Sequence, residues 1–264
     1  MSARRETRLS LGDKRLIQLE MLKEIDVFCR DNNIRYSLAY GTLIGAIRHK
    51  GFIPWDDDVD LIMPLPDMLR FKSIFKSDSI SFCDVDTVEK YDLPFPRLSS
   101  KGTYQRVGLM TKTYGVNIDL YVMICLPNSE EIINSFFSKA NSILKRRRRY
   151  KTIRKYMSYI FPIQPLPGFT KCMTQYHDFL LKEFPYTGTA PFFAVAGLPS
   201  WKEVYMFDFL DSLIDVEFEG LVLLATAHYD EWLTKEYGDY MSPPPEDQRH
   251  PYHGGRFYRV NNLW

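Results

Sequence analysis

Cysteine is scarce in this 264-residue chain. Cys29, Cys83, Cys125 and Cys172 lie too far apart in sequence for the paired spacing of a zinc site or a redox dithiol. They read as reduced, buried thiols. Long apolar runs are missing as well: no stretch is long enough to span a bilayer, and residues 1–14 carry charge without an apolar targeting segment. The chain therefore reads as cytoplasmic, at most peripheral on the inner face of the cell membrane. Internal repeats and low-complexity tracts are absent, which removes solenoids and disordered linkers from consideration. An excess of one charge is also lacking. Lys plus Arg number 34 against 33 Asp plus Glu, a formal net charge of +1, which argues against a protein that binds nucleic acid by bulk charge.

What is present is an ordinary globular core with an aromatic surplus. Hydrophobic residues make up 45% and charged residues 25%, with 17 Tyr and 18 Phe, and the length suits one large domain or two small ones. The charge is unevenly spread. Lys145, Arg146, Arg147, Arg148, Arg149, Lys151, Arg154 and Lys155 follow one another with no acid among them, which leaves 26 cations and 33 acids elsewhere, a formal charge of −7 on the remaining body. Five consecutive cations cover every face of a helix, so this segment points to an anionic surface partner: lipid headgroups, a pyrophosphate-lipid carrier or an acidic glycan. An aromatic-apolar patch, Tyr156 to Phe161, follows it directly.

Hydrophobic spacing predicts a helix over 13–32 with Asp13 as its N-cap, a strand over 34–40, a short helix from Leu43 to about Lys50, and a strand over 58–63 stopped by Pro64. A helix over 67–76 and strands over 79–86 and 116–126 follow. Beyond Leu126 the pattern reads as mainly helical, with segments in 130–150, 170–184 and about 209–237. The fold class is thus α/β (α+β), a mixed sheet flanked by helices with a mainly helical C-terminal half. One domain is expected, divided into a core (1–126), a helical basic-aromatic insertion (127–185) and a helical C-terminal part (186–264).

The chemistry is signalled by carboxylates. Asp56, Asp57, Asp58 and Asp60 crowd the entry to a strand, where their repulsion is relieved by solvent or by cations. Residues i and i+2 share a face, so Asp58 and Asp60 can present oxygens to one site while Val59 and Leu61 turn to the core. Asp119, in an alternating strand, is the third acid that would complete a pair of Mg²⁺ sites. Gly41-Thr42 ends a strand and opens a helix, a geometry that suits phosphate as well as a plain tight turn.

The run Tyr-Gly-Thr-Leu-Ile-Gly-Ala-Ile-Arg-His-Lys-Gly-Phe-Ile-Pro-Trp-Asp-Asp-Asp-Val-Asp, from Tyr40 to Asp60, resembles the signature of the LicD family. A second resemblance lies at Tyr229, Leu233, Tyr237–Met241, Pro244, Pro245, Glu246 and His250. The likeness implies a nucleotidyltransferase-like fold and a phosphotransferase that moves a phospho-alcohol, often phosphocholine from CDP-choline, to a surface glycan such as teichoic acid, lipopolysaccharide or capsule. It implies Gly41-Thr42 as the Gly-Ser/Thr turn, Asp58 and Asp60 as paired metal ligands, and Asp119 as the third acid. Mg²⁺ is the expected ion, with Mn²⁺ as its alternative, and another CDP-alcohol or a lipid-linked glycan acceptor falls within the same chemistry. Two departures stand out. Leu120-Tyr121-Val122-Met123 follows Asp119 where relatives carry an apolar-Phe-Pro run, and Ala225-Thr226-Ala227 replaces a common proline.

Around that signature, Arg48, His49 and Lys50 read either as phosphate contacts or as surface cations. Trp55 can stack on a base or alcohol or simply anchor its loop. His250 reads as a phosphate contact or a structural hydrogen bond. An NTP-dependent nucleotidyltransferase that releases pyrophosphate would use the same carboxylates and is the alternative activity.

Overall fold

Ser10, not Asp13, starts the first helix. Its hydroxyl accepts from the Asp13 backbone N–H while the Asp13 carboxylate accepts from the Ser10 backbone, a capping box in which Asp13 is the third helical residue. The computed structural model describes residues 6–89, 91–107, 111–157, 167–183, 190–250 and 255–260. In chain order the elements are β1 (Glu6–Arg8), α1 (Leu11–Asp31), β2 (Ser37–Leu38), α2 (Tyr40–His49), β3 (Asp60–Pro64), α3 (Leu65–Ile74), β4 (Ile80–Cys83), β5 (Arg97–Ser100), β6 (Thr103–Val107), β7 (Thr111–Thr113) and β8 (Asn117–Leu126). They continue with α4 (Glu130–Met157), α5 (Pro167–Glu183), β9 (Phe192–Val195), β10 (Val204–Tyr205), β11 (Leu213–Phe218), β12 (Leu221–Thr226), α6 (Tyr229–Tyr237) and β13 (Arg256–Val260).

The central sheet is mixed, as its sequence pattern implied. Its order is β10-β9-β8-β3-β2; β3 and β8 run parallel, the remaining pairs are antiparallel, and β5 joins the first residues of β8 while carrying β4 on its outer side. β8 is the axis. It pairs with β3 on one side and with β5 and then β9 on the other, and it is buried along nearly its whole length. A second sheet, β1-β13-β6-β7, joins the two ends of the chain. All four cysteines are free and buried, as their spacing suggested. No helix among the described residues is long and apolar enough to cross a membrane.

The C-terminal half departs from its helical reading. Residues 213–226, expected within a helical stretch, form the β11–β12 hairpin, and β9, β10 and β13 add further strands; among the described residues from 190 on, α6 is the α-helix, beside short helical turns at Trp201–Glu203 and Glu246–Gln248. The turn explains the hairpin: Glu219 (φ 51°) and Gly220 (φ 77°) both take positive φ, the geometry whose twist matches that of the two strands. Apolar residues at 213, 214, 216, 218, 221, 223 and 224 fit either period, so the turn decides. Pro64 does not halt β3 from outside; it is the last strand residue and the N-cap of α3.

Candidate active site

Register places the acids. Asp60 on β3 stands opposite Asp119 on β8, and Asp119 stands opposite Arg97 on β5, so Asp60, Asp119 and Arg97 form one row across three strands. Asp58 lies two residues before the start of β3, half-buried, while Asp60 and Asp119 are buried. The Thr42 hydroxyl accepts from the Asp60 backbone N–H at 2.9 Å, and the Ala39 N–H donates to the Asp60 carbonyl at 3.0 Å, tying the first turn of α2 to the acid strand. Thr42 thus fixes Asp60.

The loop between Gly51 and Asp58 is held from α1. Arg15 donates from Nη2 to the carbonyls of Ile53, Pro54 and Asp56 at 2.9, 3.0 and 2.8 Å, and the buried Lys14 ammonium donates to the Asp57 carbonyl and pairs with its carboxylate. From the other side the β11–β12 turn reaches in: the Glu219 carboxylate accepts from the Phe52 N–H at 3.0 Å. Gly41 makes room for Asp56, because a Cβ there would stand 2.7 Å from an Asp56 carboxylate oxygen. Burial and the neighbouring Asp58 charge push the Asp56 carboxyl up to about 7. A nearby cation would offset that repulsion, and hard carboxylate oxygens suit Mg²⁺ or Mn²⁺. Asp58, Asp60 and Asp119, with Asp56 beside them, offer oxygen donors of the chemistry such an ion takes, although their carboxylate oxygens do not gather within 4.8 Å of one another.

The remaining signature residues gather on the outer end of α2. Arg48 donates from Nε to His49 Nε2 at 2.9 Å and from Nη1 to the Tyr240 carbonyl at 2.6 Å; burial and the nearby Arg249 lower its pKa. Burial and Arg48 likewise lower that of His49. Trp55 lies between His49, with ring centroids 6.4 Å apart, and Arg249, whose guanidinium sits 5.2 Å from a Trp55 ring centroid. Lys50 is drawn away from this group. It caps α2 in a left-handed conformation and stands 3.6 Å from Glu217 on the hairpin. His250 is exposed and follows Arg249 at the end of a short helical turn, its N–H donating to the Gln248 carbonyl at 3.1 Å.

Among the described residues, the group whose ligand atoms come within 4.8 Å of one another is Asp84, Asp86 and His177, beyond β4 and on α5. The three could hold a metal ion by distance, but Lys72 stands 2.5 Å from both carboxylates, and Thr87 and the Asp86 backbone donate to Asp84. Lys72 thus shares these carboxylates with any cation that would bind there.

Sequence reading missed Arg97, Lys14, Arg15, Glu219 and Arg249. Each acts through a partner 22 to 194 positions away, so local patterning carries no signal for it; Arg249 adjoins His250, the last residue of the second resemblance. The expected patch at Tyr156–Phe161 falls largely outside the described residues.

Residues 33–176 match the family described as LicD/FKTN/FKRP, nucleotidyltransferase domain. The lipopolysaccharide cholinephosphotransferase LicD of Haemophilus influenzae is 29% identical over 261 residues, covering 93% of this chain and 97% of that one. Shorter matches join it to uncharacterized proteins of Rickettsia typhi (37% over 68 residues, 25% of this chain and 22% of that one) and Rickettsia prowazekii (38% over 63 residues, 24% of each). With the signature run and the acids of β3 and β8 all inside a matched span that takes in more than half of its residues, the chain belongs to the LicD family.

Proposed function

We propose that this chain is a Mg²⁺-dependent transferase that moves a phospho-alcohol, phosphocholine from CDP-choline foremost, to a hydroxyl of a cell-surface glycan precursor. The observation that carries the reading is the similarity to a lipopolysaccharide cholinephosphotransferase along 93% of the chain. Asp58, Asp60 and Asp119 would hold the metal, as one ion or a pair. When bound, the ions would polarise the phosphoryl oxygens and neutralise the charge that develops on departing CMP. The chain's own residues then orient the reactants. Thr42 and the clamp from Lys14 and Arg15 fix the carboxylates, Gly41 leaves space at the start of α2, and Arg48 with His49, Trp55 and Arg249 offers cations and an aromatic face for the donor.

The glycan acceptor would be anionic or lipid-linked, brought close by α4, whose Lys145, Arg146, Arg148 and Arg149 are exposed. Peripheral attachment to the inner face of the membrane follows from that placement. The test is thermal stability with Mg²⁺ against CDP-choline, CDP-ethanolamine, CDP-glycerol, CDP-ribitol, CTP and ATP. A hundredfold excess over Kd stabilises by about 2.7 kcal/mol. A metal-dependent shift with a CDP-alcohol, lost in Asp58→Asn, supports the reading; a shift confined to nucleoside triphosphates moves it to a nucleotidyltransferase that releases pyrophosphate.

A further inference from the structure

Asp119 is held more completely than a metal ligand requires. Its Oδ1 accepts from Arg97 Nε at 2.5 Å and from Asn117 Nδ2 at 2.8 Å, and its Oδ2 accepts from Arg97 Nη2 at 2.9 Å. A carboxylate offers about four lone-pair positions, so these three bonds leave one, on Oδ2. The bidentate fork fixes the plane of the carboxylate as well as its charge. Arg97 is itself placed by register, opposite Asp119, and the segment before it is secured in two places: Tyr91 Oη donates to the Phe95 carbonyl at 2.8 Å, and the half-buried Arg147 of α4 donates from Nε to the Asp92 carbonyl.

We propose that Arg97 is a positioning residue of the active site: it neutralises Asp119 and presents one lone pair, on Oδ2, so that this acid can bind a cation only through a single oxygen. The inference rests on the reading of Asp58, Asp60 and Asp119 as metal ligands. Its consequence runs against intuition. Removing Arg97 exposes the full Asp119 charge and a second oxygen, so the site gains affinity for a divalent ion while losing the geometry it was built to impose. A residue needed only for folding has no means of tightening metal binding when it is lost.

The experiment is Mn²⁺ titration of the full chain, following free Mn²⁺ by electron paramagnetic resonance, with melting curves taken alongside. Expected are binding by the unaltered protein that Asp58→Asn abolishes, a gain of about tenfold in Arg97→Met, an affinity within about threefold of the original in Arg97→Lys, which keeps the charge, and loss of the gain in Arg97→Met/Asp119→Asn. Should Arg97→Met not fold, Arg97→Gln keeps one donor to Asp119 and should still bind at least about threefold tighter. An affinity that is unchanged or weaker in a folded neutral variant, or a gain that persists without Asp119, overturns the proposal for Arg97. Absence of Mn²⁺ binding to the unaltered protein overturns the metal reading itself, and the role of Arg97 with it.

Discussion

Glu203 shows how burial and a neighbouring carboxylate can tune a side chain beneath α2 without making it catalytic. It lies 7% exposed beneath Tyr40, the first residue of α2, whose hydroxyl donates to it at 3.0 Å while Tyr40 itself is held at a φ of 46°. Burial first, and the neighbouring Glu236 second, raise its pKa from 4.5 to about 7, against the opposing pull of the Tyr40 hydrogen bond and of Lys202 and Lys235. Between those values the folded chain binds more protons at Glu203 than the unfolded chain does, so its contribution to stability is present below about pH 4.5 and is lost as the pH rises through 7. Glu203→Gln should therefore flatten the fall in melting temperature between pH 5 and pH 8 and gain roughly 1–3 kcal/mol at the upper end. Matched unfolding curves at the two pH values check it, and equal slopes for the two proteins would refute the assignment. At the acids the expectation is the opposite kind: Asp58→Asn should reduce turnover more than about a hundredfold while the melting temperature holds or rises, because one of several crowded charges is removed. Asp60 and Asp119 were legible as strand residues because strand patterning is local, whereas Asp58, read as part of the same strand, precedes β3. Arg97 was not legible, because its meaning depends on which strand lies beside β8.

Two elements converge on the loop that carries Asp56, Asp57 and Asp58. α1 was legible as a helix from its spacing, although its start was shifted by the choice of Asp13 over Ser10, yet nothing in that spacing announces that Lys14 and Arg15 serve the loop rather than solvent. Arg15 gathers three carbonyls of the loop, those of Ile53, Pro54 and Asp56, of which that of Ile53 also accepts from the Asp56 N–H. Arg15→Ala should cost about 2–3 kcal/mol in denaturant unfolding and weaken Mg²⁺-dependent stabilisation by CDP-choline; a loss of stability with that stabilisation intact would make Arg15 structural only. The hairpin of β11 and β12 was hidden for a different reason. Its apolar residues satisfy two periods at once, and only the positive φ at Glu219 and Gly220 separates them. Gly220→Ala, where the backbone has φ 77° and open space around the missing Cβ, should cost about 1 kcal/mol from backbone strain and nothing from packing. Glu219→Ala should cost more at the loop, since it removes the acceptor of the Phe52 N–H.

At the scale of the whole molecule the chain is an acidic body with one basic helix, and the helix is not a uniform surface. Lys145, Arg146, Arg148 and Arg149 are exposed, whereas Arg147 turns inward, half-buried, to the Asp92 carbonyl on the segment that leads to Arg97. The side chains of Lys151, Arg154 and Lys155 fall outside the described residues. The same run therefore divides its work between an outer face of charge and one inner contact that ties α4 to the segment before β5. Each cation near an anionic leaflet contributes about 1 kcal/mol, so reversing Arg146, Arg148 and Arg149 to Glu should weaken binding to phosphatidylglycerol-containing vesicles by more than a hundredfold at low salt, with the difference shrinking as salt is raised. Arg147 is excluded from that set because its replacement would disturb the sheet. CDP-choline affinity with Mg²⁺ should be unchanged in the triple variant, since the altered side chains lie on the outer face. Equal vesicle binding by both proteins would remove the membrane from the reading of α4 and leave an acidic glycan as the partner its charge is matched to.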